Sequence, residues 1–248
     1  MRAILALVIA CAVGAASASD VRSLGAQQLV LVLTSEWDAT QGTLRSFEWK
    51  QERWVKRGRD VPISIGRTGA AWGIGRHETQ PGLQKREGDG RSPAGIFSIG
   101  RAFGYATAVQ SQLPYDAMTE SDYCIDVNES PLYNQIVDAR KVGSDAVAKS
   151  TEPMRRDIHA KGDQRYKLGF VIEHNPQHVT ARGSCIFAHL WASAGQVTAG
   201  CTAMEEAAMR ELIAWLDGDS KPVFVLLPQA EYERLKAPWH LPSIERAL

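Results

Sequence analysis

Apolar positions along this chain come in short runs broken by turn residues, and most of the runs have strand length. Gln28 to Thr34 reads as an apolar strand. Thr43 to Lys50 alternates around Leu44, Phe47 and Trp49, and Trp54-Val55 opens a partner strand after a short turn. Val61 to Ile65 alternates again. Gly95 to Gly100, Leu168 to His174, Cys185 to Trp191 and Val223 to Leu227 are further strands. A clear helical period appears once, at Met209, Leu212, Ile213 and Leu216. Thr202 with Glu205 fits a capping box at the start of that helix, and Asp217-Gly218 ends it with Gly218 in a left-handed turn. A short helix is expected over Glu231 to Lys236, with Trp239 docking back on the body. Strands outnumber helices, so the fold class is mainly β.

Between the strands, Gly69 to Ser92 is rich in glycine and charge and reads as a long loop, a length that is usually functional. Residues 110–167 are less regular. No internal repeat, low-complexity tract or long linker divides the chain. Residues 19–248 are therefore expected to form one domain.

Composition changes little in this picture. The 248 residues are 44% hydrophobic and 23% charged, with a formal net charge of +0. That balance makes no electrostatic case for nucleic acid or an acidic membrane surface. The N-terminus matters more. Arg2, the apolar run Ala3 to Val13 and the small residues Ala16-Ser17-Ala18 have the form of a signal peptide over residues 1–18. The run is too short to span a bilayer, and removing it leaves 27 basic against 28 acidic residues. The mature chain is expected to be exported to the periplasm or cell envelope, with no transmembrane segment. Val8-Ile9-Ala10-Cys11 is a faint lipoprotein-like box with its cysteine very early.

Export leaves Cys124, Cys185 and Cys201, an odd number for an oxidising compartment. A Cys124–Cys185 disulfide would leave Cys201 free. Spacing does not decide connectivity. Two buried thiols are the alternative, and a disulfide to Cys201 would abolish the chemistry considered next.

That chemistry rests on His189 and Cys201, twelve positions apart. The histidine closes the apolar run from Cys185. The cysteine follows Gly200 at the expected mouth of the helix. A thiol becomes a strong nucleophile as thiolate, and both an imidazole and a helix N-terminus favour that form. Gly200 allows close approach of the backbone, and the N–H groups of Gly200 and Cys201 are candidates for an oxyanion hole. The plainer alternative is a buried cysteine and a satisfied strand histidine. Other signals fail. Asn175-Pro176 breaks any helix that would align His174 and His178, no paired CxxC is present, and Gly73-Ile74-Gly75 lacks the third glycine of a dinucleotide loop. No metal and no organic cofactor is implied.

The segment from Gly183 through Phe187-Ala188-His189-Leu190-Trp191 to Thr198-Ala199-Gly200-Cys201-Thr202-Ala203-Met204 resembles the catalytic motif of L,D-transpeptidases, cysteine enzymes that cross-link bacterial peptidoglycan. Lys85 to Phe97 is similar to the family's loop and strand before the active site, and Gly66 to Gly73 to the strand end preceding it. The likeness runs from about Leu29 to Leu227. Ala199 and Ala203 depart from the best-known motif, which has a second histidine and an Arg or Asn there. The His189–Cys201 spacing is also shorter than in many members, which marks a divergent branch.

The resemblance implies a curved β-sandwich-like domain with a few helices, one following the cysteine. It implies that Cys201 forms a thioester with a peptidoglycan stem tetrapeptide, releases D-alanine, and passes the acyl group to an amine, with His189 as base and acid. Thr198, Trp191, Trp72, Arg91 and His174 are candidates for substrate binding, with Tyr105, Lys85 and Arg86 beside them. Aromatics at strand ends also serve as core, and the alternative for the charged loop is a solvated surface. The rival readings are a cysteine L,D-carboxypeptidase or endopeptidase of the same fold and a non-catalytic wall-binding protein.

Overall fold

Ten strands form one strongly curled sheet, seen in a computed structural model that describes residues 20–155 and 162–244. The leader expected over residues 1–18, Cys11 included, lies outside the described residues. At the centre β1 (Gln28–Thr34) runs parallel to β13 (Val223–Pro228) and antiparallel to β2 (Gln41–Lys50). Every residue of β1 and β13 is buried, which is why both read as continuous apolar runs. β2 turns through Gln51 and Glu52, both at positive φ as a two-residue primed turn requires, into β3 (Arg53–Ser64). The segments expected as separate strands at Trp54 and Val61 are thus one strand. Two extra residues bulge out of it where Leu44 pairs Val61 but Ser46 pairs Arg57.

The sheet closes through β5 (Ser92–Gly104). Its first half pairs with β13 and its second half with β10 (Leu168–Ile172). β10 continues through β11 (Phe187–Leu190) and β12 (Thr202–Met204) back to β3. β4 (Ala70–Trp72) and β6 (Tyr115–Ala117) flank β5. A second, three-stranded sheet joins β7 (Asp122–Cys124), β8 (Ile136–Asp138) and β9 (Glu152–Pro153), with α1 (Ala139–Val142) and α2 (Ser144–Val147) between the last two.

Alternation along β11 explains how two cores form. Ala188 and Leu190 face the main core, which also takes Phe170, Met204 and the helix α3 (Glu206–Trp215). Phe187 faces the other way, into a smaller cluster with Phe103, Met118, Tyr166 and the three cysteines among the described residues, Cys124, Cys185 and Cys201. α3 buries Met209, Leu212 and Ile213 and packs on β10 and β11. α4 (Gln229–Leu235) follows β13, and Trp239 packs edge-on against Trp72, 6.3 Å away. Among the described residues no helix is long and apolar enough to cross a membrane.

The helix boundaries differ from the sequence expectation. Thr202, read as an N-cap, is instead the first residue of β12, buried and in register with Ala188. Pairing on both sides, to β11 and to β3, satisfies these backbone groups better than a frayed first turn. The helix starts at Glu206, with Glu205 as an N-cap whose side chain makes no capping bond. It ends at Trp215, with Leu216 extended, and the left-handed residue is Lys221 rather than Gly218.

Candidate active site

Strand register brings His189 and Cys201 to one face. β11 and β12 are parallel, with Ala188 opposite Thr202 and His189 opposite Ala203. Extending that register by one residue sets Cys201 beside Phe187, and side chains two apart on a strand share a face. His189 and Cys201 are therefore diagonal neighbours, about 8 Å apart between Cα atoms from strand spacing and rise. Tyr166 lies edge-on to the imidazole, with ring centres 5.3 Å apart.

The imidazole is oriented by its own strand. His189 Nδ1 donates to the Leu190 carbonyl at 2.7 Å, which makes Nε2 the basic nitrogen. The ring is 5% exposed.

Cys201 is a thiol in a dry place. Its Sγ accepts from the Phe187 N–H at 3.4 Å and donates to the Cys185 carbonyl at 3.4 Å. Burial first, and the Glu152 carboxylate second, push its pKa up to about 12, against which the Phe187 N–H works. The helix dipole expected to stabilise a thiolate is absent here, because β12 separates Cys201 from α3.

Two hydroxyls hold the loop carrying the cysteine. Thr198 Oγ1 donates to the Cys201 carbonyl at 2.7 Å and accepts from the Gly200 N–H at 3.1 Å. Ser92 Oγ donates to the same carbonyl at 3.1 Å and accepts from the Gly66 N–H. The Gly200 N–H, a candidate oxyanion donor in the sequence, is thus committed to Thr198. Gly200 is a glycine for a different close approach: a Cβ there would stand 3.0 Å from the Arg91 carbonyl oxygen.

The remaining expected residues fall mostly into structural roles. Trp72 is 1% exposed in the core against Trp37 and Trp239, so it lines no cleft. Arg91 pairs with Asp38 at 2.8 Å and donates to the Ala70 carbonyl. Lys85 is buried on Asp89. His174 accepts from the Ile74 N–H and donates from Nε2 to the Arg182 carbonyl; burial first lowers its pKa to about 3. It ties two loops together as a neutral ring. Trp191 is half-buried just beyond His189.

Cys124 and Cys185 form a disulfide, and among the described residues Cys201 is the free cysteine. Cys185, expected in a strand, has φ 56°, and β11 begins two residues later. That turn aims its sulfur at Cys124 and its carbonyl at Cys201. Asn134 fixes it: its Oδ1 accepts from the Cys185 N–H at 2.8 Å, while its Nδ2 donates to the carbonyls of His174 and Asn175. In the sequence Asn134 falls in Leu132-Tyr133-Asn134, which resembles family segments beside the catalytic cleft, and Ser92 in the Lys85 to Phe97 loop and strand, but neither has an assigned role there. Asn134 takes a positive φ, which asparagine tolerates.

A cavity of about 830 Å³ lies on the same face of the sheet. Phe103, Met118, Cys124, Ile136, Val171 and Phe187 line it, all members or neighbours of the cluster that packs Cys201, while Cys201 and His189 stand behind that lining. Among the described residues no group of three His, Cys, Asp or Glu is arranged to hold a metal ion.

The curled, mainly β sheet thus sets a cysteine and a strand histidine on one face. The chain belongs to the YkuD family of L,D-transpeptidase catalytic domains, whose model matches residues 39–225. No curated protein matches the sequence. Two solved structures show a distant similarity. Bd1075 of Bdellovibrio bacteriovorus has 13% identity and a TM-score of 0.40, over 89% of this chain and 57% of that one. The helical cell shape determining protein Pgp2 of Campylobacter jejuni has 15% identity and a TM-score of 0.39, over 82% and 48%. This chain thus spans about half the length of each.

Proposed function

We propose that the protein is an exported L,D-transpeptidase acting on peptidoglycan stem peptides. The observation that carries this reading is the pairing of Cys201 with His189 on one face of β11 and β12, the imidazole held by the Leu190 carbonyl. Membership of the family and the leader-like N-terminus support it.

A thiol whose pKa is near 12 does not attack as a preformed thiolate. The proton passes from Sγ to His189 Nε2 as sulfur bonds to the carbonyl carbon of the third stem residue, diaminopimelate. The Cys201 N–H is the backbone donor toward the developing oxyanion, and the peptide plane that follows it is held by the Thr198 and Ser92 hydroxyls on the Cys201 carbonyl. His189 then protonates the departing amine of D-alanine, leaving a thioester. An acceptor amine attacks that carbonyl, loses its proton to His189, and displaces the sulfur, which recovers a proton.

Mass spectrometry of residues 19–248 with tetrapeptide muropeptides, beside Cys201→Ala, tests this. Cross-linked dimers with loss of D-alanine in the wild type alone are expected. Shortened monomers alone would replace the transferase by a hydrolase, and no reaction with Cys201 reduced would overturn the catalytic reading.

A further inference from the structure

Beside the His189 imidazole stand a buried tyrosine and a carboxylate that take no part in the acyl transfer described above. Tyr166, two residues before β10, packs edge-on against Phe103, Phe187 and His189, with ring centres 5.9, 5.8 and 5.3 Å away. Its backbone is tied to the strand that carries the histidine. The preceding residue, Arg165, accepts at its carbonyl from the Leu190 N–H at 3.1 Å, and Leu190 in turn holds His189 Nδ1. The Tyr166 hydroxyl donates to the Glu152 carboxylate. Glu152 comes from the second sheet, where β9 sets it opposite Cys124 of β7. Ser150 fixes that pairing, its hydroxyl donating to the Cys124 carbonyl at 2.6 Å and accepting from the Glu152 N–H at 3.2 Å. Cys124 is bonded to Cys185, whose carbonyl faces the Cys201 sulfur.

We infer that Tyr166 is a positioning residue for His189, and that Glu152 fixes it from the second sheet through the phenol hydroxyl. This rests on the function proposed above. The bond from Nδ1 to the Leu190 carbonyl sets the tautomer of the imidazole but leaves the ring free to tilt about that bond. A tilt swings Nε2 relative to the sulfur, and a misplacement of about 1 Å can cost on the order of 10²-fold in rate. The edge contact with Tyr166 is the second point of support. A ring packed only on Phe103 and Phe187 can slip, whereas a hydrogen bond to a carboxylate at its hydroxyl is both strong and directional. The carboxylate also bears on the sulfur itself. After burial it is the next influence raising the Cys201 pKa, with Lys85 and Arg165 acting the other way. The same negative charge favours the imidazolium that His189 becomes on taking the proton.

The test compares Tyr166→Phe, Glu152→Ala, the double variant and Glu152→Gln with the wild type. Each is followed by steady-state D-alanine release from a stem tetrapeptide and by nitrogen NMR of the His189 ring, assigned against His189→Gln. Tyr166→Phe keeps the packing and removes only the bond to Glu152, while Glu152→Gln keeps an acceptor for the phenol. In Tyr166→Phe and in Glu152→Ala kcat should fall about tenfold with KM within about twofold, and the double variant should be no worse than either. Glu152→Gln should recover most of the rate lost in Glu152→Ala. The His189 ring, a single Nδ1–H tautomer in the wild type, should average between tautomers in Tyr166→Phe and Glu152→Ala. A His189 signal unchanged in both, a loss carried by KM alone, or losses that multiply in the double variant overturns the inference. The same NMR changes in a protein whose wild type releases no D-alanine keep the positioning role and overturn the transpeptidase instead.

Discussion

The backbone N–H of Phe187 points at the sulfur of Cys201 across 3.4 Å, one strand over. It is the direct donor that favours a negative sulfur, and it is outweighed by burial, which leaves the thiol protonated with a pKa pushed up to about 12. Alkylation of the native protein by iodoacetamide should therefore rise steadily with pH from 6 to 9 and reach no plateau. A titration midpoint below pH 7 would show a preformed thiolate and contradict this geometry.

His189→Gln removes the base and keeps a polar ring-sized group on β11. D-alanine release should fall by about 10² to 10⁴-fold, the usual contribution of a positioned general base, with the unfolding midpoint little changed. Matched circular dichroism and denaturant curves beside the kinetics separate lost chemistry from lost structure.

Thr198→Val deletes both the bond to the Cys201 carbonyl and the acceptor for the Gly200 N–H. The substitution should lower kcat about tenfold while costing on the order of 1–3 kcal/mol of stability. Serine at the same position should restore most of both, because the hydroxyl rather than the methyl makes these bonds.

The Cys124–Cys185 disulfide closes a 61-residue separation and holds the carbonyl that faces Cys201. Reduction, or the double change Cys124→Ser with Cys185→Ser, should cost about 4 kcal/mol by loop-closure entropy. Thiol titration of the denatured, unreduced mature chain should count one free thiol, and two or more would refute the pairing.

His174 is buried and His77 half-buried, and desolvation keeps both neutral, with pKa values lowered to about 3 and about 4 from an ordinary 6.5. The unfolded chain therefore binds more protons than the folded one between those values, so stability rises with pH through that window and levels off above 6.5. Urea unfolding at pH 5 should show a loss of about 2 kcal/mol for each ring relative to pH 7. His174→Asn should remove its share of that dependence.

Local pattern was enough for much of this protein. β1 and β13 were legible as apolar runs because both faces of those strands are buried, and the face of α3 was legible because Met209, Leu212 and Ile213 repeat at helical spacing. His189 and Cys201 stood out by residue type, and the family resemblance needed only the linear motif. What neighbours in space decide was not legible. Thr202 to Met204 carry helix-start signals, yet an open slot between β11 and β3 takes them as a strand, since two ladders of backbone bonds outweigh one cap. The state of the thiol, the commitment of Arg91 and Trp72 to structural partners and the carbonyl turned inward at Cys185 all depend on which atoms stand within a few ångströms. Periodicity records which side of an element is buried, whereas desolvation and hydrogen bonding depend on what the other elements place there.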